Sequence, residues 1–283
     1  MLIDGKETAA SIKDELKAYV ENNNVKAKLA IVQVGDNTAS NVYVKNKIKA
    51  CEYCGVNYVL CKLPDTLSES QLLSEVERLN NDSMVNGIIV QLPLPDKYNE
   101  YNIINHIKPF KDVDGFTAVN LGKLMSSDET GMVPATPLGI CNLIKQYNIE
   151  TQNKNILIIG RSNTVGRPLA NLLSNKQFNG NVLLAHSRTD KNKLIKYGKS
   201  ADIIIACCGQ MKYINSEFID KNKKTVIIDV GIHRDENGKL CGDVDFEDVK
   251  DYCDITPVPG GVGPMTVVSL IQNTIKSAIS NKH

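Results

Sequence analysis

The sequence predicts an α/β protein with two domains. Short apolar runs alternate with amphipathic helical patterns along most of the chain, which is typical of parallel strands joined by crossover helices. Several of these runs are continuously apolar, as expected for strands that are covered on both faces. The length of 283 residues suits two domains better than one core.

Seven apolar runs predict strands, and spacings of three and four predict the helices between them. The predicted strands are Leu29–Val34, Val56–Leu63, Gly87–Gln91, Ile156–Ile159, Val182–Ala185, Ile203–Cys207 and Thr225–Val230. Two early helices have apolar faces formed by Ala9, Ile12, Leu16 and Tyr19, and by Leu72, Leu73, Val76 and Leu79. The last helix is expected to start after Gly263-Pro264 and to bury Val267, Leu270, Ile271, Thr274, Ile275 and Ala278.

Composition and charge argue against several classes of protein. Hydrophobic residues make up 42% and charged residues 23%, and the net charge is +1, so neither nucleic acid nor an anionic membrane is an expected partner. Charged residues near the start of the sequence disfavour a signal peptide, and no apolar run approaches the roughly 20 residues of a membrane span. We therefore expect a cytoplasmic protein.

The eight cysteines do not form a recognisable metal or disulfide pattern. Cys51 and Cys54 form one C-x-x-C inside a helical pattern, no second pair stands at zinc-finger spacing, and the four histidines are scattered. Cys207 and Cys208 lie within an apolar run. We expect reduced thiols that act as small apolar side chains, and no metal site.

Residues 156–170 predict a phosphate-binding turn between a strand and a helix. The strand ends at Gly160 and the helix begins near Gly166, with Pro168 tolerated in the first turn. Backbone N–H groups at such a helix start suit a pyrophosphate. Ser162 stands where the usual dinucleotide fingerprint has glycine, which implies a different backbone path. A plain tight turn is the alternative.

The end of the next predicted strand favours NADP over NAD. An NAD site has a carboxylate there for the ribose 2′-hydroxyl, whereas Val182–Ala185 is followed by Ser187 and Arg188, with no acid before Asp190. A hydroxyl and a cation suit a 2′-phosphate, and Arg161 is a second candidate cation. The alternative is that Arg188 is a solvated surface charge.

The first half of the chain contains candidate catalytic residues. Tyr43 and Lys47 stand at i and i+4 of a predicted helix and share a face, although such a pair is most often solvated. Gln91 ends an apolar strand, where ligands bind in open parallel sheets. In the loop 112–115 a carboxylate can accept two N–H groups of a planar heterocycle, with an Asx-type turn as the alternative.

These motifs stand in one order along nearly the whole chain. They are Gly5-Lys6, Ser40-x-x-Tyr43-x-x-x-Lys47, Val90–Pro95, Asp112–Gly115, Pro134–Pro137, Gly160–Ser162 with Val165-Gly166, and Pro257–Pro264. In this combination the chain resembles the bifunctional methylenetetrahydrofolate dehydrogenase/cyclohydrolase family. One departure is Ala135, where some relatives carry cysteine, and we expect no loss of chemistry from it.

The resemblance implies a function and a domain organisation. The family oxidises 5,10-methylenetetrahydrofolate to 5,10-methenyltetrahydrofolate with NADP⁺ and hydrolyses that cation to 10-formyltetrahydrofolate. It implies two α/β domains with a cleft between them, usually in a homodimer. The expected folate-binding catalytic domain is 1–119 with the C-terminal helix 265–283, and the expected Rossmann-like NADP-binding domain, with its parallel sheet, is 120–264.

The resemblance also assigns roles to individual residues. The catalytic set would be Lys47, Tyr43, Gln91 and the pterin-binding Asp114. The NADP contacts would fall on Gly160, Arg161, Ser162, Ser187 and the backbone around Ile232. A neutral Lys47 would assist the attack of water on the cation, with Gln91 holding the amine in position.

Two other functions fit the sequence less well. A dehydrogenase of a small hydroxy acid needs a catalytic histidine or an arginine clamp in the first half, where His106 is the only histidine and lies in no such motif. A non-catalytic nucleotide-binding module is expected to have lost the catalytic set, all four members of which are present here.

Overall fold

A computed structural model describes residues 1–280, with the backbone alone at Ala39. The chain forms two compact units, one of Met1–Ala9 with Thr136–Thr266 and the other of Ala10–Ala135 with Val267–His283. Residues 281–283, the end of the predicted C-terminal segment, lie outside the described residues.

Helices and strands alternate in both units. The helices are α1 (Gly5–Asn22), α2 (Thr38–Cys54), α3 (Glu69–Asn81), α4 (Glu100–Asn105), α5 (Ala118–Met125), α6 (Ala135–Gln146), α7 (Gly166–Ser174), α8 (Lys191–Ser200), α9 (Phe246–Val249) and α10 (Val262–Ser280). The strands are β1 (Lys28–Val34), β2 (Asn57–Leu63), β3 (Gly87–Val90), β4 (Asn155–Ile159), β5 (Asn181–Ala185), β6 (Ile203–Ala206), β7 (Thr225–Asp229), β8 (His233–Arg234), β9 (Leu240–Cys241) and β10 (Cys253–Ile255).

The unit that contains α2 is built on a parallel three-stranded sheet in the order β2-β1-β3. The central strand β1 is buried on both faces because its side chains alternate between two cores. Leu29 and Ile31 pack with residues of α2 and α10, whereas Ala30 and Val32 pack with residues of α3 and α4. Helix α2 therefore covers one face of the sheet.

The other unit is built on a parallel five-stranded sheet in the order β10-β7-β6-β4-β5. Its inner strands β4, β6 and β7 bury nearly every side chain, which explains why their sequences are continuously apolar. Because all five strands run in the same direction, the loops that follow β4, β5, β6 and β7 emerge at one edge. The prediction of two α/β domains, the second with a parallel sheet, is confirmed, and the cleft between them stays a prediction.

Local structure differs from the sequence expectation in three places. The short strands β8, β9 and β10 were not among the predicted runs. In α1, Ala9, Ile12 and Leu16 are buried or partly buried as predicted, but the apolar face ends at the buried Val20, whereas Tyr19 is 45% exposed. Helix α10 begins at Val262, before Gly263-Pro264, whereas the sequence predicted a start after these two residues.

The compact units also divide the chain at other places than the expected domains 1–119 with 265–283 and 120–264. Leu2 forms a parallel bridge with Ile255 at strand β10, which joins the first residues to the unit of the five-stranded sheet. Asn120 donates to the Pro109 carbonyl and accepts from the Met132 N–H, which ties residues 120–135 to the unit of α2. The assignment of folate binding and NADP binding to the expected residue ranges remains a prediction.

The described residues contain no disulfide, no cluster suited to a metal ion and no helix able to span a membrane. All eight cysteines are free thiols, and Cys51 and Cys54 are buried inside α2. Within residues 1–280, no group of three or more His, Cys, Asp or Glu side chains is arranged to hold a metal ion. The helices of the same residues are too short or too polar to cross a membrane.

Candidate active site

Helix α2 buries Lys47 against the sheet. Val44 and Cys51, which lie one turn to either side of it, pack in the apolar core, and Lys47 is 8% exposed. The alternative of a solvated Lys–Tyr pair therefore fails for the lysine. Tyr43, one turn earlier, is 38% exposed, and partial burial raises the pKa of its phenol.

Gln91 holds the amine of Lys47. Lys47 Nζ donates to Gln91 Oε1 at 3.1 Å in buried surroundings. Gln91 Nε2 donates to the Leu92 carbonyl at 2.7 Å, which fixes the amide so that its oxygen faces the lysine. The Gln91 N–H continues the sheet by donating to the Val32 carbonyl, so the side chain is held at the carboxyl end of β3.

Asp112 organises the loop in which Asp114 lies. One of its carboxylate oxygens accepts from the Gly115 and Phe116 N–H groups at 2.9 and 3.2 Å. The other oxygen accepts from the Thr117 N–H and from Asn120 Nδ2, both at 2.8 Å. The Asx-type turn expected as an alternative for this loop is therefore made by Asp112, which leaves the second aspartate available.

Asp114 has a carboxylate suited to a ligand that donates hydrogen bonds. Among residues 1–280, no donor is hydrogen-bonded to it. Burial raises the pKa of Asp114, the positive charge of Lys47 lowers it, and the negative charge of Asp112 raises it. A half-buried acceptor without donors is costly unless a ligand supplies them.

The turn after β4 has a tightly packed backbone. Gly160 has a φ of +134°, and a Cβ there would lie 2.1 Å from the Cys207 carbonyl oxygen. A Cβ on Gly166 would lie 1.9 Å from the Gly160 carbonyl oxygen. Glycine is therefore required at both positions. Ser162 Oγ accepts from the Val165 and Gly166 N–H groups at 3.1 and 3.4 Å and from Thr164 Oγ1 at 3.3 Å, so the serine stabilises the turn.

The loop after β5 presents Ser187 and Arg188 as exposed side chains. The first carboxylate beyond them, Asp190, is engaged as the cap of α8 and accepts from the Lys193 N–H at 3.0 Å. The first acid after β5 is therefore the N-cap of the next helix, and it follows the exposed Ser187 and Arg188 in the chain.

A buried carboxylate network after β7 was not predicted from the sequence. Asp243 is fully buried, accepts from the Gly209 N–H at 3.0 Å and lies 2.7 Å from His233 Nε2. It thereby connects the loop after β6 to the segment that contains Ile232, which is 42% exposed. The sequence signal was weak, because the aspartates lie far apart in a segment without a known motif.

The same network makes stability depend on pH. Burial raises the pKa of Asp229 from its ordinary value of 3.8 to about 7, although three backbone N–H groups donate to it. Between these values the folded chain holds a proton that the unfolded chain has released. The free energy of unfolding should therefore fall as pH rises, by up to about 1.4 kcal/mol per pH unit.

Chemical denaturation at several values between pH 4.5 and 7, on the natural chain and on Asp229→Asn, measures this contribution. The substitution removes the titrating carboxyl group, so the free energy of unfolding should change less with pH in the variant than in the natural chain. Parallel profiles for the two proteins would contradict the assignment.

The predicted site residues fall into two groups, each within one compact unit. Tyr43, Lys47, Gln91 and Asp114 all belong to the unit of the three-stranded sheet. Gly160, Arg161, Ser162, Ser187 and Ile232 all belong to the unit of the five-stranded sheet. Within the first group the structure brings Lys47 and Gln91 into direct contact, and the charge of Lys47 acts on Asp114.

Both parts of the chain match models of one protein family. Residues 3–114 match its catalytic domain, described as tetrahydrofolate dehydrogenase/cyclohydrolase, catalytic domain. Residues 134–282 match its NAD(P)-binding domain. The chain is 48% identical to the bifunctional protein FolD of Campylobacter hominis over 281 residues, which cover 98% of this chain and 96% of that protein.

Solved structures agree with these matches. A crystal structure of the bifunctional enzyme FolD from Campylobacter jejuni is 43% identical, covers 99% of both chains and has a TM-score of 0.94. The dehydrogenase-cyclohydrolase of Trypanosoma brucei, complexed with NADP cofactor and an inhibitor, is 32% identical, covers 99% of this chain and 97% of that one, and has a TM-score of 0.92. The chain therefore belongs to the tetrahydrofolate dehydrogenase/cyclohydrolase family.

Proposed function

We propose that Lys47, Tyr43, Gln91 and Asp114 carry the folate chemistry of this enzyme. The enzyme oxidises 5,10-methylenetetrahydrofolate to 5,10-methenyltetrahydrofolate with NADP⁺ and hydrolyses the product to 10-formyltetrahydrofolate. The observation that supports these roles most directly is the buried hydrogen bond of 3.1 Å from Lys47 Nζ to Gln91 Oε1. It holds the proposed base at one position, where Lys47 is 8% and Gln91 9% exposed.

In the hydrolytic step Lys47 acts as the base. A neutral amine accepts a proton from the attacking water, and the oxygen of that water bonds to the methenyl carbon. The hydroxyl on that carbon then loses its remaining proton as the carbon–N5 bond breaks, N5 takes up that proton, and the resulting formyl C=O stays on N10. The proton held by Lys47 leaves to solvent, so one proton is released overall. Gln91 Oε1 accepts an N–H of Lys47 before and after the proton transfer, so the amine keeps its position in both charge states.

Asp114 binds the pterin ring. Its two oxygens match the 2-amino group and the adjacent ring N–H, which are two parallel donors. The absence of donors to this carboxylate among residues 1–280 supports the role, because the ligand then supplies them. We propose that Tyr43 packs against the bound ring, which its exposed surface of 38% supports.

The residues of the five-stranded unit fit NADP. The backbone contacts of Gly160 and Gly166 require glycine in this turn, which leads into the start of α7, and the start of a helix suits a pyrophosphate. Arg161, Ser187 and Arg188 are exposed around the turn and offer cations and a hydroxyl to a 2′-phosphate. When bound, NADP⁺ supplies the hydride acceptor, and the chain orients it through these contacts.

The substitution Gly166→Ala should impair the dehydrogenase selectively. The added Cβ would lie 1.9 Å from the Gly160 carbonyl oxygen, so the turn must move. A displacement near 1 Å costs up to about 100-fold in rate, and we expect kcat/KM for NADP⁺ to fall by about tenfold or more. Hydrolysis of supplied methenyltetrahydrofolate should persist.

Gly122→Ala is the matched control, because a Cβ there meets nothing within 4 Å. Both activities of that variant should equal those of the natural chain. A Gly166→Ala enzyme with an unchanged KM for NADP⁺ would remove the turn from the cofactor site.

The enzyme should prefer NADP⁺ to NAD⁺, and Ser187→Asp should weaken that preference. A carboxylate at this position repels the 2′-phosphate and accepts from a 2′-hydroxyl. Hydrogen bonds to charged groups contribute about 1.5–3 kcal/mol, so the ratio of the two kcat/KM values should shift by about tenfold or more. Equal kcat/KM values for both cofactors in the natural chain would contradict the role of this loop.

The assay that tests the function uses purified protein, methylenetetrahydrofolate and NADP⁺. NADPH and the methenyl product are followed spectrophotometrically, and the formyl product is measured by a chase. Hydride transfer requires the folate and the nicotinamide to meet, so a chain that binds both without producing NADPH would refute the proposal. Because of the family resemblance, we also propose a cytoplasmic homodimer, which analytical ultracentrifugation tests.

A further inference from the structure

Gln33 lies near the end of β1, the strand next to the one that Gln91 follows, and has no role in the mechanism above. Its strand β1 is paired with β3 so that Val32 stands opposite Val90, which places Gln33 opposite Gln91 one position further on. Alternation along β1 puts Gln33 on the same face as Ile31, under helix α2. The carboxyl ends of two neighbouring strands thus direct two glutamines towards the helix that contains Lys47.

The orientation of the Gln33 amide is set by a chain of hydrogen bonds that begins at a carboxylate. Asp36 can only accept when it is ionised, so it faces Asn41 Nδ2, at 2.9 Å. This turns Asn41 Oδ1 towards Gln33, and Gln33 Nε2 donates to it at 2.6 Å. A 180° rotation of either the Gln33 or the Asn41 amide group would break these hydrogen bonds.

The consequence is a buried acceptor without a donor. Gln33 is 1% exposed, and its Oε1 has no hydrogen-bond partner among the described residues. A buried acceptor without a donor destabilises the fold. Such atoms are rare in folded proteins and call for an explanation.

We propose that Gln33 is a positioning residue of the cyclohydrolase site, whose Oε1 accepts a second hydrogen bond from Lys47 Nζ when the amine takes up a proton. The inference rests on the role proposed for Lys47. A protonated lysine has three N–H donors, and this structure shows one of them on Gln91. The flexible lysine side chain allows a second donor to turn towards the neighbouring strand.

The burial of Gln33 argues against direct contact with folate. At 1% exposure it lies deeper than Lys47 and Gln91, which are 8% and 9% exposed. Its effect should therefore pass through Lys47 and should be largest in the reaction in which Lys47 changes charge. Two amide oxygens would then hold the ammonium formed after the water has lost its proton.

The test compares Gln33→Met, which removes the acceptor at similar volume, with Gln33→Glu, which restores one. For Gln33→Met we expect cyclohydrolase kcat to fall about tenfold, the KM for methenyltetrahydrofolate to stay within about twofold, and dehydrogenase kcat to fall less. Gln33→Glu should retain more cyclohydrolase activity than Gln33→Met. Ser269→Ala, which removes another buried unpartnered oxygen of the same unit, should leave both activities unchanged.

Three results would overturn the inference: an unchanged cyclohydrolase kcat in Gln33→Met, an equal fractional loss of both activities, or no advantage of Gln33→Glu. If Gln33→Met does not fold, Asn41→Leu tests the same point, because it keeps the acceptor but frees the amide to turn over. It should lower cyclohydrolase kcat selectively, and an unchanged value would also overturn the inference. Full activity of Lys47→Met, assayed in parallel, would defeat the role of Lys47 itself, which separates the two failures.

Discussion

Replacement of Lys47 by methionine is expected to abolish the cyclohydrolase activity. The side chain keeps about the same length and loses the amine that donates to Gln91, so the attacking water loses its proposed base. General bases contribute about 10²–10⁴-fold, and we expect a loss of at least 100-fold in kcat. The dehydrogenase should survive in part, because NADP⁺ accepts the hydride and the lysine does not.

The variant should stay folded, because methionine is apolar and suits a position that is 8% exposed. Thermal unfolding and NADP⁺ titration check this point. Lys49→Met, an exposed lysine of the same helix, is the control and should keep kcat within about twofold. Formation of 10-formyltetrahydrofolate by Lys47→Met at the natural rate would refute the assignment.

Replacement of Asp114 by alanine is expected to weaken folate binding in both reactions. The change removes two charge-assisted hydrogen bonds to the pterin, each of about 1.5–3 kcal/mol. We expect kcat/KM for both folate substrates to fall by at least about 100-fold, mainly through KM. The Kd for NADP⁺ should not change, because its proposed contacts lie in the other compact unit.

Asp114→Asn separates charge from shape. The amide keeps one acceptor and turns a donor towards the pterin, so its KM should lie between those of the alanine variant and the natural chain. The loop itself should stay folded in both variants, because Asp112 makes its hydrogen bonds. An unchanged KM for folate in the alanine variant would show that the pterin binds elsewhere.

Much of the secondary structure followed from local pattern. Each of the seven predicted strands overlaps an observed one, with ends that differ by at most one residue. Continuous apolar runs are diagnostic because both faces of β4, β6 and β7 are covered. By contrast, β8 and β9 have two residues each, which is too short for any period to appear.

The sequence was sufficient to select the candidate site residues, but it did not show how deeply each is buried or which partners it has. The spacing of Tyr43 and Lys47 placed them on one helix face, but it did not show that the lysine is buried. The burial of Lys47 depends on Val44 and Cys51, which pack the same helix against the sheet. Similarly, the two aspartates of the loop 112–115 were alternatives in the sequence, and only their hydrogen bonds separated the structural one from the free one.

The sequence by itself determined the α/β class, the glycine turn, the order of the motifs and the family, because these depend on residues close together in the chain. The tertiary structure decided which polar groups are buried, which are already paired and which remain available, such as the oxygens of Gln33 and Asp114. Burial and pairing arise from strands and helices that are distant in sequence, since a side chain loses water only when other elements cover it. Local pattern holds no information on those partners.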